Sequence, residues 1–175
     1  MRAIFVGLPG SGKSTVGRDL AGRLELPFED SDQLIEQQIG CSITDYFDRE
    51  GEQAFRDVEE SVIQKLTTNA GAGILATGGG AVLREVNRSR LRAAGHVVYL
   101  HASPEEIFRR VRRSSSRPLL QVADPLGRLH ALYAERDPLY RATAHVVVET
   151  GRPSVAALVN TIMTQPELQG PPPPR

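Results

Sequence analysis

The feature that most constrains this chain is a glycine-rich segment directly after its first apolar run. Residues 7–15 read Gly-Leu-Pro-Gly-Ser-Gly-Lys-Ser-Thr and contain the full eight-position pattern Gly-x-x-x-x-Gly-Lys-Ser. The run before it is long enough for one strand, and the sequence after it has helical period. A tight turn between the two predicts a loop whose backbone N–H groups face one anion at the positive end of a helix dipole.

This loop predicts a phosphate-binding site of the P-loop type. Lys13 would reach the β- and γ-phosphates of ATP, and the Ser14 hydroxyl would face Mg²⁺. Lysine occurs only at positions 13 and 65, so Lys13 is not drawn from a common background. The alternative is an ordinary glycine-rich turn. The residues predicted to bind the nucleotide here are Gly10, Ser11, Gly12, Lys13, Ser14 and Thr15.

The rest of the chain alternates apolar runs with segments of helical period, which is typical of βαβ units and a parallel sheet. Strands are predicted near 2–7, 27–30, 73–77, 96–101 and 145–149. Helices are predicted near 13–24, 31–39, 43–49, 51–68, 84–94, 104–113, 125–141 and 153–164. The predicted fold class is therefore α/β, of the P-loop NTPase type, with helices flanking a parallel sheet.

The length of 175 residues predicts a single domain, which we assign to residues 1–165. Residues 112–124 show neither the helical nor the strand period of apolar residues and contain serine and proline, so we predict a mobile lid there. Residues 166–175 include four consecutive prolines, and we predict a disordered tail that forms no helix.

Composition excludes several classes of protein. The 21 acidic and 21 basic residues balance, so no overall field attracts nucleic acid or an anionic membrane. Cys41 is the only cysteine, which excludes an internal disulfide and agrees with a reducing compartment. There is no apolar run of about 18 residues. We therefore expect a cytoplasmic protein that binds neither nucleic acid nor membrane.

Two acidic residues follow the predicted second strand, at the edge where a parallel sheet binds ligands. The third strand runs into Gly78 without a carboxylate, so Asp30 is expected to serve Mg²⁺ through water. Asp32 is then free to contact an acceptor hydroxyl group. The alternative is that Ser31 or Asp32 simply caps the next helix.

The glycine triplet 78–80 and the arginines provide further candidates for binding. Without a Cβ, the backbone N–H groups of Gly78, Gly79 and Gly80 can approach a ligand closely, although a bare surface turn is the alternative. Arginine suits paired hydrogen bonds to carboxylate or phosphate. Arg56 and Arg136 stand alone, whereas five arginines lie close together at positions 109, 110, 112, 113 and 117.

Together these residues resemble the shikimate kinase family, from the first predicted strand to the last predicted helix. The family signature is matched by Arg56, Glu59, Ile63, Ile74-Leu75, Ala76, Thr77 and Gly78-Gly79-Gly80. Three further segments agree with the family, namely Gly51-Glu52-Gln53, Arg117-Pro118-Leu119-Leu120 and Arg136-x-Pro138-x-Tyr140.

The resemblance implies a five-stranded parallel sheet of order 2-3-1-4-5, and it implies that the protein uses ATP together with Mg²⁺. It also implies phosphorylation of the 3-hydroxyl group of shikimate, a small molecule on the route to aromatic amino acids, by a protein expected to be monomeric.

The resemblance also implies roles for individual residues. Asp32 would bind substrate hydroxyl groups and accept the proton, and Arg56 and Arg136 would hold the carboxylate. Arg117 would close over the phosphates with the lid. Asp32 can act as an ionised base at neutral pH only if it stays partly solvated or near positive charge, conditions that Mg²⁺ and Arg136 would supply. The remaining implied residues are Lys13 in catalysis, Gly79 of the triplet 78–80 at the substrate, and Arg110 and Arg152 beside the adenine.

Two other kinds of protein are alternatives for this sequence. A related kinase could phosphorylate gluconate or a nucleoside monophosphate, but the arginine pair favours a carboxylate and the signature around Gly78 disfavours both acceptors. A regulatory GTP switch would need an Asn-Lys-x-Asp element, which the sequence lacks.

Overall fold

A computed structural model describes residues 2–68, 71–113 and 121–169 of the chain. Most of the predicted lid, including Arg117, and the proline run at the end of the predicted tail lie outside the described residues.

The described residues contain one five-stranded parallel sheet, in the order β2-β3-β1-β4-β5. The strands are β1 (Arg2–Val6), β2 (Phe28–Asp30), β3 (Gly73–Ala76), β4 (His96–His101) and β5 (Val146–Glu149). The helices are α1 (Lys13–Leu24), α2 (Ser31–Ile39), α3 (Ile43–Glu50), α4 (Glu52–Thr68), α5 (Glu85–Ala94), α6 (Pro104–Val111), α7 (Pro125–Thr143), α8 (Val155–Met163) and α9 (Pro166–Gln169). The predicted fold class and strand order are confirmed.

Strand β1 lies at the centre of the sheet, and all five of its residues are buried. Successive side chains of a strand point to opposite faces. Accordingly Ile4 belongs to one apolar cluster, with residues of α4, α5 and α7, while Phe5 belongs to another, with residues of α1 and α8. Both faces are thus covered by helices, which explains the uninterrupted apolar run in the sequence.

The first turn of α6 shows why this helix begins where the sequence predicts. The Ser103 hydroxyl accepts from the Glu106 N–H at 3.2 Å, and the Ser103 N–H donates to Glu106 Oε2 at 2.8 Å. Pro104 occupies the first helical position, where its missing N–H has no partner to lose. This capping box fixes the start of the helix that carries Arg110.

Helix α9 corrects the predicted tail. Residues 166–169 are helical, so the prediction of a disordered segment without helix is wrong for them. Pro166 suits a first helical position, and Leu168 is buried in the same apolar cluster as Leu158 and Ile162 of α8. Burial of Leu168 provides the apolar contact that composition alone did not reveal.

No helix in the described ranges is both long enough and apolar enough to cross a membrane.

Candidate active site

The glycine-rich loop joins β1 to α1 as predicted. Gly10 and Gly12 have φ angles of 85° and 95°, in the left-handed region that favours glycine. Gly12 is also the residue that caps α1, and it has no side chain to accept from the first turn. The N–H groups of that turn are therefore left for an anion at the positive end of the helix dipole.

Lys13 lies within this loop and is buried. Its Nζ donates to the Gly7 carbonyl at 2.8 Å and to the Leu8 carbonyl at 2.9 Å. These contacts hold the ammonium group at the floor of the loop rather than in solvent. A positive charge there adds to the helix dipole and suits a polyanion.

Ser14 and Asp30 form the second element of the site. The Ser14 hydroxyl donates to Asp30 Oδ2 at 2.6 Å. The other oxygen, Oδ1, accepts from the N–H groups of Asp32 at 3.0 Å and Gln33 at 3.3 Å. The cap of α2 is therefore Asp30, and not Ser31 or Asp32 as the alternative interpretation supposed.

The donor set at Ser14 and Asp30 suits Mg²⁺. Mg²⁺ prefers oxygen ligands and retains several waters, so it needs few groups from the protein. The described residues include no cluster of three or more His, Cys, Asp or Glu side chains that could hold a metal ion by themselves. A hydroxyl group beside one carboxylate oxygen is the kind of site that a nucleotide-bound Mg²⁺ uses.

Asp32 has an unusual environment for an aspartate. Burial, with Asp30 as the next contribution, raises its pKa to about 6, and the charge on Lys13 opposes the rise. Lys13 is the cation among the main contributions to this pKa, and the predicted contribution of Arg136 stays a prediction. A carboxylate with this pKa is mostly ionised at neutral pH yet basic enough to accept a proton.

The glycine triplet passes close to functional side chains, and a Cβ would be obstructed at each position. On Gly78 it would collide with the Asp32 carboxylate, on Gly80 with the Arg56 guanidinium, and on Gly79 it would lie 2.7 Å from Cδ of Pro9. The Gly78 N–H donates to the Ser31 hydroxyl at 3.0 Å. The triplet is thus a packed wall of the site and not a bare turn.

The two isolated arginines meet around one buried carboxylate. Arg56 is 9% exposed, and its Nη1 lies 2.8 Å from Oε1 of Glu59, which is 2% exposed. Burial raises the pKa of Glu59, while the charges on Arg56 and Arg136 oppose the rise. The Nε atoms of both arginines are buried without a hydrogen-bond partner. Each guanidinium also has an exposed acidic neighbour, Glu52 at 3.5 Å from Arg56 and Glu135 at 3.6 Å from Arg136. Glu59 is the one buried carboxylate of the group, so two guanidinium groups beside it suit an anionic ligand on the buried side.

A cleft of about 440 Å³ brings together most of the predicted nucleotide residues and, of the predicted acceptor residues, Asp32 and Gly79. The other acceptor residues are not part of its lining, namely Arg56, Gly78, Gly80 and Arg136. The residues predicted from the sequence that line this cleft are Gly10, Gly12, Lys13, Ser14, Thr15, Asp30, Asp32, Gly79 and Arg110. Pro9 and Thr77 also line it. The Ser11 side chain is buried within the loop.

The two arginines predicted beside the adenine differ in their surroundings. Arg110 donates to the carbonyl and the hydroxyl of Thr150, and it reaches the Ser11 carbonyl at 3.5 Å. It therefore connects α6 to the phosphate loop. Arg152 is exposed on the bend after β5, outside the lining of the cleft.

Sequence reasoning gave no separate role to three hydroxyl groups that shape the site. The Tyr140 hydroxyl donates to the Gly79 carbonyl at 2.6 Å, and the Thr77 hydroxyl donates to the Phe5 carbonyl at 2.8 Å. Ser31 accepts from Gly78. Tyr140 and Thr77 are part of the family pattern, but only the fold reveals their partners on distant strands and loops.

A parallel sheet with this loop after its central strand, and with carboxylates at the end of the edge strand β2, defines a P-loop nucleotide-binding protein. Comparison with known proteins narrows the class. The family model described as shikimate kinase matches residues 9–166. The shikimate kinase of Paracidovorax citrulli (strain AAC00-1) is 63% identical over 172 residues, which cover 97% of this chain and 94% of that protein.

Two further similar proteins are also shikimate kinases. The shikimate kinase of Cupriavidus pinatubonensis is 53% identical over 166 residues, which cover 95% of this chain and 86% of that protein. The solved structure of the shikimate kinase from Acinetobacter baumannii in complex with shikimate is 43% identical, with a TM-score of 0.87. That match covers 93% of this chain and 90% of the solved chain.

The chain belongs to the shikimate kinase family. It is a kinase, that is, a phosphotransferase, and its phosphoryl donor is ATP.

Proposed function

We propose that this kinase transfers the γ-phosphoryl group of ATP to the 3-hydroxyl group of shikimate, which gives shikimate 3-phosphate and ADP. The observation that carries this proposal is the buried group of Arg56, Glu59 and Arg136 beside the glycine triplet. It supports an acceptor with a carboxylate. Family membership favours shikimate over gluconate or a nucleoside monophosphate.

The acceptor would bind with its carboxylate at the two guanidinium groups and its hydroxyl groups at Asp32. Glu59 directs Arg56 through a charge-assisted hydrogen bond of 2.8 Å. Gly80 lies directly against the same guanidinium. This arrangement fixes one end of the molecule and thereby orients the hydroxyl group at the other end, which is the main requirement of phosphoryl transfer.

Asp32 would act as the proton acceptor. Its carboxylate lies against Gly78, in the wall of the cleft that also contains the phosphate loop. Burial keeps its pKa near 6, so proton transfer from a reacting hydroxyl group is easier than to an ordinary aspartate.

Lys13 and the N–H groups of the loop would hold the β- and γ-phosphates. Ser14 and Asp30 would hold Mg²⁺, with Asp30 acting through water, and the ion would neutralise charge between the β- and γ-phosphates. Gly10, Ser11, Gly12 and Thr15 would complete the nucleotide site.

Arg110 and Arg152 would flank the adenine, and Arg117 would add charge over the phosphates. A further cleft of about 420 Å³ supports the first of these roles, because Arg110 lines it together with Glu106, Arg109, Arg112, Arg113 and Gly151. Arg117 lies outside the described residues, so its role rests on the family resemblance.

We also propose that the enzyme works as a monomer in the cytoplasm, with a small molecule as its partner and neither nucleic acid nor membrane. Balanced charge and the single cysteine support this setting.

The test of the acceptor pocket compares Arg56→Ala and Arg136→Ala with the wild type. Each variant should weaken shikimate binding by about 1.5–3 kcal/mol, as expected for a lost charged hydrogen bond, and leave ATP binding nearly unchanged. Arg23→Ala is the control, because Arg23 is exposed and pairs with Asp19 on α1. Affinities for both ligands can be measured by calorimetry.

The wild type should also discriminate against the methyl ester of shikimate, which lacks the negative charge. Unchanged shikimate affinity in both arginine variants, or equal use of acid and ester, would refute the carboxylate pocket.

A further inference from the structure

The hydroxyl group of Tyr140 connects two parts of the site that come from distant segments of the chain. Tyr140 lies on α7 and is fully buried. Its hydroxyl donates to the Gly79 carbonyl at 2.6 Å. Arg136 lies one helical turn earlier on α7, and its charge opposes the rise that burial causes in the pKa of Tyr140.

The direction of this bridge is fixed. Burial raises the pKa of Tyr140 well above its usual range, so the phenol keeps its proton at all working pH values. A protonated phenol has one hydrogen, and that hydrogen is given to the Gly79 carbonyl. The aromatic ring is held in place by Tyr99, whose centroid lies 5.0 Å away.

The bridge from α7 acts on the backbone of the glycine triplet. In a trans peptide the C=O of one residue and the N–H of the next point in opposite directions. The bond from Tyr140 therefore sets the rotation of the whole peptide between Gly79 and Gly80. Glycines have the widest choice of backbone angles, so this peptide has more freedom to lose than any other. Gly80 in turn lies against Arg56.

We propose that Tyr140 is a positioning residue for the acceptor: its hydroxyl group ties the Gly79–Gly80 peptide to helix α7, which carries Arg136, so that the carboxylate-binding groups are arranged before the substrate arrives. This role rests on the proposed function, since it assumes that Arg136 and the glycine triplet bind the acceptor. Preorganisation of this kind improves binding because the cost of ordering has already been met in the free protein.

The test is Tyr140→Phe, which keeps the ring and removes the bridge. The KM for shikimate should rise by roughly three- to tenfold, as expected for one buried hydrogen bond, while the KM for ATP stays within about twofold. Tyr99→Phe is the matched control. Tyr99 belongs to the same ring stack, and its hydroxyl donates to Asp137 of α7 at 2.9 Å, but it does not touch the glycine triplet. A merely structural role predicts the same change in both variants.

Two further measurements keep the test decisive. In the Arg136→Ala background, Tyr140→Phe should have a clearly smaller effect on shikimate affinity, because the arginine against which the glycine triplet is positioned is gone. Replacement of Tyr140 by 4-aminophenylalanine, whose amine can donate to Gly79, should restore most of the affinity. This rescue variant also provides a folded protein if Tyr140→Phe proves unstable.

The outcomes separate the two proposals. If Arg136→Ala weakens shikimate binding and Tyr140→Phe does not, or if Tyr99→Phe has an equal effect, the role of Tyr140 is refuted and the acceptor pocket stands. If Arg136→Ala itself leaves shikimate affinity unchanged, the acceptor pocket is refuted first. A selective rise in the shikimate KM that depends on Arg136 and is rescued by the amine supports both.

Discussion

At the scale of single residues, three carboxylates near the cleft differ through their surroundings. Asp30 accepts from Ser14 and from two backbone N–H groups. Glu59 is buried against Arg56. Asp32 is the one whose burial raises the pKa to about 6, although it lies only two positions from Asp30. Environment rather than residue type therefore assigns the acid–base role.

Asp32→Asn should lower turnover by roughly 10²-fold or more and leave ATP binding intact, because the amide keeps the shape of the side chain but cannot accept the proton. The free energy of unfolding at neutral pH should rise, since an ionised carboxylate in a buried position is unfavourable there. Steady-state kinetics and urea unfolding measure the two effects.

Asp30→Asn is the variant to compare with Asp32→Asn, because the Asp30 carboxylate accepts hydrogen bonds from Ser14 and from the first turn of α2. This variant should shift the Mg²⁺ dependence of the rate and lower stability through the weaker cap. Equal magnesium defects and unaltered shikimate affinity in both variants would contradict the different roles proposed for the two aspartates.

At the scale of an element, α1 carries the phosphate loop on its first turn and contains two glycines in different surroundings. Gly22 has open space where a Cβ would be, whereas a Cβ on Gly17 would lie 2.8 Å from Cε2 of Phe28 and 3.4 Å from Cδ2 of Phe5. Only Gly17 is needed for close packing of the helix on the sheet.

Gly22→Ala should therefore raise the free energy of unfolding by roughly 0.5–1 kcal/mol, because alanine restricts the unfolded chain and suits the helix. Gly17→Ala gains the same stabilisation from replacing a helical glycine by alanine, but it forces Phe28 to move. Overpacking of this kind commonly lowers the free energy of unfolding by about 1–3 kcal/mol. A net loss of stability is expected for it. Thermal and urea unfolding of both variants would check the opposite signs, and equal shifts would contradict the packing argument.

Helix α7 is the element that joins the acceptor pocket to the sheet. Along it, Tyr133 contacts His101 at 2.9 Å, Asp137 accepts from Tyr99, and Tyr140 donates to Gly79. These positions recur every three to four residues and so lie on one face of the helix. Arg136 lies between them, so its position is set by contacts with both β4 and the glycine triplet.

At the scale of the whole molecule, stability should depend on pH through the junction of α7 and β5. The ring of His145 accepts a hydrogen bond from the backbone N–H of Val97 through Nδ1, at 2.9 Å. The backbone N–H of His145 donates to the Val97 carbonyl at 2.8 Å. Burial lowers the pKa of His145, and the charges on Arg92 and His96 lower it further.

A lowered pKa in the folded state means that neutral His145 contributes stability above the unfolded value near 6.5, and that this stability is lost as the pH falls below it. Protonation also removes the acceptor at Nδ1. His145→Asn keeps an acceptor that cannot be protonated, so its free energy of unfolding should fall less steeply below about pH 6.5 than that of the wild type. Parallel curves from urea unfolding at a series of pH values would exclude this contribution.

Much of this architecture could be predicted from the sequence because its signals are local. The motif at residues 7–15, the capping box at Ser103 and the alternation of apolar runs with helical period each depend on neighbours in the chain. The predicted elements lie within two residues of the observed boundaries, and the strand order implied by the family is confirmed.

What the sequence could not supply depends on contacts between distant segments. The helix at Pro166–Gln169 exists because Leu168 joins an apolar cluster, and no local pattern reveals that cluster. The charge on Lys13 acts on Asp32, an effect between separate segments that the sequence did not reveal. The bond from Tyr140 to Gly79 spans 61 positions, so only the packed helix brings the two together.

The central position of β1 has a consequence for synthesis of the protein. This strand is translated first, yet Arg2 pairs with Gly73 and Ala3 with His96, so neither neighbour exists while the phosphate loop leaves the ribosome. Both edges of β1 stay unpaired until β3 and β4 emerge, and its apolar faces are fully covered only once the later helices follow. We therefore expect a long interval in synthesis during which the loop has no sheet to support it and the nascent chain cannot yet bind nucleotide.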